Sequence, residues 1–195
     1  MTIDLFISCV MDQFYPDTAK NVVKVLNAAA VDVEYNPEQT CCGKFAFNSG
    51  FVDEAKELGE KFLRDFPNDR PIVGVSASCV GYIKKRYEEL FYNTASHLEY
   101  KRLVRNIFEF TDFLVNKINI LNFGAEFNHK VVYQDTCCSL RELGLKDEGR
   151  KLLSNVKGIE ILEMKYPEVC CGFGGGFFSI QHEAISVAMA ERKIK

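Results

Sequence analysis

Eight of the 195 residues are cysteine, and their placement is far from even: Cys9, Cys41, Cys42, Cys79, Cys137, Cys138, Cys170 and Cys171. Three adjacent pairs stand among them, and thiolates are at once nucleophiles, redox groups and metal ligands. In a chain this long, eight cysteines are too sparse for a disulfide scaffold, so clustered ones point to metal or redox chemistry. A structural zinc usually declares itself by short Cys-x2–4-Cys or His-x3–5-His clips. No such clip occurs. A vicinal pair combined with widely separated single cysteines suits a larger object, such as an iron–sulfur cluster held by thiolates. Gly43, Gly172 and Gly174 follow the pairs. They allow the backbone to approach closely and aim N–H groups at sulfur. Two other readings stay open on spacing alone: a zinc-stabilised interaction module, and a thiol–disulfide switch.

The cysteines repeat. Cys9 precedes Cys41 by 32 positions and Cys137 precedes Cys170 by 33, and the pairs at 41–42 and 170–171 are each followed at once by glycine. LFISC, a helical stretch, VDVEY and TCCGKFAFNSG in the first part answer to VVYQDTCC, a helical stretch, IEILEM and VCCGFGGGFFS in the second. Cys79 lies 37 positions after Cys42, and its counterpart would fall near position 208, beyond Lys195. The second site is therefore expected to hold three matched cysteines: either the chain is shorter than that site needs, or Cys138 or a partner chain supplies the missing ligand.

The elements that must position these thiols alternate. Residues 3–8 and 31–35 read as strands around a helix that Asp17 would cap, with Val22, Val23, Val25, Leu26 and Ala29 on one face. Val52, Ala55, Leu58, Gly59, Phe62, Leu63 and Phe66 recur at helical spacing before Pro67. Residues 72–78 read as a buried strand ending at Cys79, and 130–135 as one ending at Cys137. The expectation is an α/β fold of two pseudo-repeated βαβ halves with parallel sheets. The first would occupy 1–96, a helical connector 97–129, and a second half, incomplete at its C-terminus, 130–195. Ligands of such sheets gather outside the carboxyl ends of the strands, where Cys9, Cys79 and Cys137 fall.

Composition removes other classes. With 24 Lys+Arg against 27 Asp+Glu the net charge is -3 and no basic stripe forms, which argues against nucleic acid. No apolar stretch approaches the roughly 20 residues of a membrane span. The first ten residues carry Asp4 where a signal peptide wants a cation. A cytoplasmic protein is expected, with peripheral docking on a membrane complex left open. GFGGGFF at 172–178 is a poor dinucleotide loop, because Phe177 replaces the third glycine and the segment follows two cysteines rather than a strand. Lys44 and Arg141 flank the expected sites and could balance negative charge. Phe45, Phe47, Phe51, Phe173, Phe177 and Phe178 surround the CCG loops and could exclude water.

The segments LFISCVMDQFYP, QTCCGKFAFNSGF, VSASC, FEFTDFLVN, TCCSLRELG, KLLSNVKGIE, VCCGFGGGFFS and AISVAMAERK together carry a resemblance. The chain resembles the cysteine-rich CCG family of iron–sulfur proteins. That family includes a component of heterodisulfide reductase, the iron–sulfur subunit of glycolate oxidase and the lactate-utilisation proteins; the likeness is strongest to the last. The resemblance implies an iron–sulfur electron-transfer subunit of a multi-component system oxidising L-lactate to pyruvate, or a similar 2-hydroxy acid. It would be an oxidoreductase subunit that needs a ferredoxin-type iron–sulfur partner and a further subunit for turnover. By position Cys9, Cys41, Cys42 and Cys79 match the ligands of a first cluster, a four-thiolate [4Fe-4S], and Cys137, Cys170 and Cys171 match a second set. Two positions depart from the family: Cys138 stands where a histidine is frequent, and Tyr82 where some members have a further cysteine.

Overall fold

The computed structural model describes residues 1–67 and 70–194. In chain order the elements are β1 (Thr2–Phe6), α1 (Cys9–Phe14), α2 (Pro16–Ala28), β2 (Asp32–Glu34), α3 (Lys44–Asn48), α4 (Val52–Asp65), β3 (Ile72–Gly74), α5 (Ala77–Phe91), α6 (His97–Leu103) and β4 (Ile107–Glu109). There follow α7 (Phe110–Asp112), continued by a π-turn over Phe113–Lys117, β5 (Lys130–Tyr133), a π-helix over Cys138–Leu143, α8 (Glu148–Leu153), β6 (Glu160–Glu163), α9 (Gly175–Gln181) and α10 (Glu183–Ile194). The fold is mixed α/β. One sheet has the order β2-β1-β3-β4 and a second joins β5 to β6, and every pairing between these strands is parallel.

Parallel strands joined by helical crossovers are covered on both faces, which is why β1 reads Ile-Asp-Leu-Phe with hardly a polar side. Ile3, Leu5, Val22, Leu26, Val31 and Val73 close one face together with Phe113 and Leu114. On the other, Phe6, Phe62, Phe66, Tyr87 and Phe91 form an aromatic nest. Phe6 meets Phe62 edge-on at 4.9 Å and Tyr87 meets Phe91 at 5.3 Å, the geometry that ring quadrupoles favour. The periodic positions Ala55, Gly59, Phe62 and Leu63 are the buried stripe of α4.

Three elements differ from their sequence signals. α2 starts at Pro16 with Asp17 inside its first turn, because proline at the first helical position loses no hydrogen bond. β3 stops at Gly74, and Cys79 lies in the first turn of α5 rather than at a strand end. Residues 97–129 are not one helix: α6 is followed by β4, which pairs with β3 and completes the first sheet. With three residues β4 is too short to show a period. Glu109 then caps the next turn. Its carboxylate accepts from Thr111 N at 2.8 Å and from Asp112 N at 3.2 Å.

The small sheet is tied by charge. Asp135, whose side chain is 2% exposed, receives two bonds from the Arg150 guanidinium, at 2.6 and 3.1 Å, and the same group reaches Glu163 at 2.7 and 3.0 Å. Tyr133 lies beneath it, 4.4 Å from ring centre to guanidinium carbon, close enough for cation–π attraction. This clamp binds the end of β5, α8 and β6 together and fixes the turn that delivers Cys137 and Cys138. Arg150→Met leaves the buried Asp135 charge unpaired and is expected to cost about 3 kcal/mol in urea unfolding. The pair Arg150→Met with Asp135→Asn should recover a substantial part of that loss.

Candidate functional site

Strand order reverses between β1 and β3, so the segments leaving their carboxyl ends run in opposite directions and open a crevice there. Cys9 opens α1 just beyond β1, and Cys79 stands in the first turn of α5 just beyond β3. The loop from β2 returns Cys41 and Cys42 to the same place. Gln39 holds that loop: its side-chain carbonyl accepts from Ile7 N at 2.8 Å, and its amide donates to Leu5 O at 3.1 Å and Asn36 O at 3.0 Å. From below, the buried Tyr87 hydroxyl donates to Cys42 O at 2.9 Å.

The four thiols meet in one crevice. Cys9 Sγ donates to Cys41 Sγ at 3.6 Å, and Cys42 lies close enough to Cys41 and Cys79 to be coupled to both electrostatically. Cys41 is the acceptor of the group. The thiols of Cys42 and Cys9, then the backbone N–H groups of Gly43 and Phe45, hold it well below the ordinary thiol range. Cys79 is lowered by Cys42 and the Ser76 hydroxyl, while Cys42 and Cys9, which donate to Cys41, are pushed up. The result is an all-thiol donor set in which Cys41 and Cys79 are biased toward the thiolate and Cys9 and Cys42 away from it, and a thiolate is the form that binds metal. Among the described residues no group of three or more His, Cys, Asp or Glu is disposed to hold a single metal ion. An all-thiol set converging from three segments, with backbone N–H on sulfur, fits a thiolate-held cluster in donor chemistry.

The second half repeats the local construction. Gly43 N donates to Cys41 Sγ at 3.4 Å, and Gly172 N donates to Cys170 Sγ at 3.4 Å. Their φ angles are +86° and +83°, a region that side-chain-bearing residues avoid. A Cβ on Gly43 would meet Ala55 O of α4 at 2.9 Å, and one on Gly172 would meet Ser186 O of α10 at 2.4 Å. The glycine of each CCG is thus required twice over, by its backbone angle and by the helix packed against it. Gly174, with φ +56°, precedes α9.

Cys137, Cys138, Cys170 and Cys171 line one cleft of about 540 Å³, together with Gly174. Its facing wall is built from Ser76, Ser78, Tyr82 and Lys44, so the cleft backs onto the segment that carries Cys79. Lys44 Nζ donates to Ser78 O at 3.1 Å and Oγ at 2.9 Å, lies 3.7 Å from Cys138 Sγ and reaches Glu142 at 4.0 Å. Burial pushes the Cys138 thiol up, partly offset by Lys44. Of the flanking residues anticipated from sequence, Lys44 stands between the two cysteine sets, whereas Arg141 is exposed and does not line the cleft. Phe47 packs beside Tyr82 with ring centres 5.5 Å apart, and Phe178 lies against His182 at 5.2 Å. Phe45, Phe51 and Phe173 are each more than half exposed, and the side chain of Phe177 lies outside the described residues. Gln39, Tyr87, Ser76 and Ser78 are not legible in the sequence, because their positions carry no spacing signal.

This geometry, two parallel-sheet units each delivering a CCG turn, defines the class. The profile of the cysteine-rich CCG domain matches residues 3–84 and 131–195. The chain belongs to the cysteine-rich CCG family. It is 37% identical over 196 residues to "Lactate utilization protein A 2" of Bacillus cereus (strain Q1), an alignment covering 100% of this chain and 81% of the relative. It is 38% identical over 194 residues to "Lactate utilization protein A" of Oceanobacillus iheyensis, covering 99% and 79%. To "Lactate utilization protein A 1" of Bacillus anthracis (strain CDC 684 / NRRL 3495) the identity is 36% over 196 residues, covering 100% and 81%.

The CCG turn and the thiol chain can each be probed directly. A side chain at a left-handed φ costs about 2 kcal/mol or less. Gly43→Ala adds to this a collision against α4, whereas Gly50→Ala, at φ +87° but with open space around it, meets the backbone cost alone. Urea unfolding should therefore rank Gly43→Ala clearly below Gly50→Ala. In the reduced, metal-free chain, a lowered thiol keeps its thiolate as pH falls and a raised one needs higher pH to form it. Iodoacetamide at about pH 6 should label Cys41, and Cys138 should label only above the ordinary thiol value of about 8.5, as read by peptide mass mapping.

Proposed function

We propose that the chain is an iron–sulfur electron-transfer subunit of a multi-component system that oxidises L-lactate, or a similar 2-hydroxy acid, to the 2-oxo acid. The observation that carries this reading is the convergence of Cys9, Cys41, Cys42 and Cys79 at the strand-order reversal, with the CCG turn of Cys41 and Cys42 rebuilt around Cys170 and Cys171. The relatives named for lactate utilisation supply the substrate. Cys9, Cys41, Cys42 and Cys79 would hold a [4Fe-4S] cluster, and Cys137, Cys138, Cys170 and Cys171 a second one. A bound cluster accepts and returns one electron at a time.

The chain's own residues prepare that role. Gly43 and Gly172 place N–H groups on thiolate sulfur. Tyr87 and the aromatic nest keep water from Cys42, which is 1% exposed, and Lys44 sets a positive charge between the two cysteine sets. Oxidising a 2-hydroxy acid releases two electrons, so one-electron centres here need companions: a ferredoxin-type iron–sulfur protein and a further subunit. The cytoplasm is the compartment that keeps such thiols reduced. Among the described residues no helix is long and apolar enough to cross a membrane. Peripheral association with a membrane complex is compatible with this role.

Anaerobic purification followed by iron, acid-labile sulfide and zinc analysis tests this. Iron and sulfide in near-equal amounts are expected, with Cys42→Ser and Cys171→Ser each removing about half of the iron. Zinc without sulfide would favour a structural module, and metal-free protein whose thiol count follows oxidant would favour a redox switch. If either substitution leaves the iron content unchanged, that half carries no cluster.

A further inference from the structure

The first cysteine set has an open side. Cys9 is exposed, and with Cys41 it borders a hollow of about 210 Å³ walled by Asp12, Gln13, Tyr35 and Pro37. Large apolar side chains crowd the surface around it. α1 carries Val10 and Phe14, four residues apart and so on one helical face, and Tyr15 follows them. Tyr35 stands just past β2, and Phe45 two residues past Gly43. All five are exposed, Phe14 to 74%. Single apolar residues are ordinary on a surface, whereas a group of them around one crevice marks a contact site.

The edge of this face is acidic. Asp12, Glu34 and Glu38 are exposed and form no ion pair among the described residues. Lys20 is paired with Asp17 at 3.1 Å, and Lys61, which donates to Glu38 O, is held by Asp65 at 2.6 Å. An aromatic centre with a charged edge is the anatomy of a protein interface. The hollow itself is smaller than the roughly 300 to 1,000 Å³ of small-molecule sites. A second copy of this chain, related by a two-fold axis, would set the three carboxylates against their own kind. An anionic lipid surface would repel them as well. The occupant that the charges select is a different protein, with lysine and arginine around an apolar centre.

We propose that Val10, Phe14, Tyr15, Tyr35 and Phe45 dock a redox protein whose own apolar contact patch is edged by cations, and that electrons leave the first cysteine set there. Asp12, Glu34 and Glu38 steer the encounter, and the aromatic side chains hold it. One electron passes per encounter to the partner's oxidised centre. The centre held by the first set is oxidised, the partner is reduced, and no bond is made or broken. That electrons cross here rests on the function proposed above; that a cation-edged protein docks here does not.

Cytochrome c, a basic one-electron acceptor, and an acidic ferredoxin are the probes. Calorimetric titration of the reduced full chain, both iron-loaded and metal-free, with reduced cytochrome c reads docking without electron exchange. Binding that weakens as salt is raised is expected, with ferredoxin binding far more weakly. In stopped-flow mixing, the iron-loaded chain reduced by dithionite should reduce oxidised cytochrome c at a second-order rate that falls with ionic strength. Asp12→Asn with Glu38→Gln, and separately Phe14→Ser, should each lower affinity and rate about tenfold. Iron content and melting temperature should not change, because these side chains are exposed. Leu98→Ser with Glu99→Gln, an exposed apolar and acidic pair on α6, which carries no cysteine, should alter neither affinity nor rate.

Binding and rate indifferent to salt, ferredoxin binding as tight as that of cytochrome c, or face variants no weaker than the α6 pair would each overturn the proposal. So would loss of iron or a melting temperature several degrees lower in Phe14→Ser, which would mean that the side chain serves the fold. A chain that contains iron and sulfide but shows no binding dependent on this face refutes the docking site and leaves the electron relay standing. One that binds cytochrome c through this face yet holds no iron supports the docking site and refutes the relay.

Discussion

A parallel sheet whose strand order turns back on itself opens a gap between the two central strands, and everything functional in this chain is arranged around that gap. β1 and β3 lie side by side, yet the chain leaves them toward opposite flanks, β2 on one side and β4 on the other. No helix can cover the carboxyl ends at that seam, so the loops that meet there remain free to carry chemistry. Cys9 and Cys79 occupy its two lips, and the β2 loop adds the vicinal pair. Three distant segments can bring four cysteines to one crevice because rigid strands, buried on both faces, fix where each segment emerges.

Holding sulfur close to sulfur has an electrostatic cost, and the surroundings offset it locally. Backbone N–H groups of Gly43 and Phe45 and the Cys9 thiol are directed at Cys41, the Ser76 hydroxyl is directed at Cys79, and the Cys42 thiol between them lowers both. The CCG glycine makes the first of these bonds available. Only a residue without Cβ takes a left-handed φ here while α4, or α10 in the second half, rests against it. The motif is accordingly a packing constraint and a hydrogen-bonding device in the same three residues.

The second half depends on the first in a way the repeat does not suggest. Its four cysteines line a cleft whose opposite wall comes from α3 and α5, and the π-helix that carries Cys138 packs on α5 with Glu142 against Gly81. Lys44, the residue after the first CCG, bonds to Ser78 and approaches Cys138, so a single ammonium group ties the residue before Cys79 to the second cysteine set. The Asp135–Arg150–Glu163 clamp gives the small, half-exposed second sheet a rigidity that its hydrophobic content does not provide.

The types of residue and their intervals were enough to mark the eight cysteines, the glycines behind the pairs, the α/β alternation and the parallel sheets, because ligand chemistry and hydrophobic period are local properties of a chain. Buried strands such as β1 and the striped helix α4 announce themselves in the same manner. Short elements do not: three residues of β4 carry no period, and its place beside β3 came only from tertiary pairing. Nor does spacing show which residues hold a loop from behind, as Gln39 and Tyr87 do, since their partners lie 34 and 45 positions away in sequence. The fold alone decided that Lys44 faces the second set of thiols, that Arg141 does not line their cleft, and that Tyr82 is buried with its hydroxyl unpaired among the described residues. Proximity between distant segments is created by packing, and no interval along the chain encodes it.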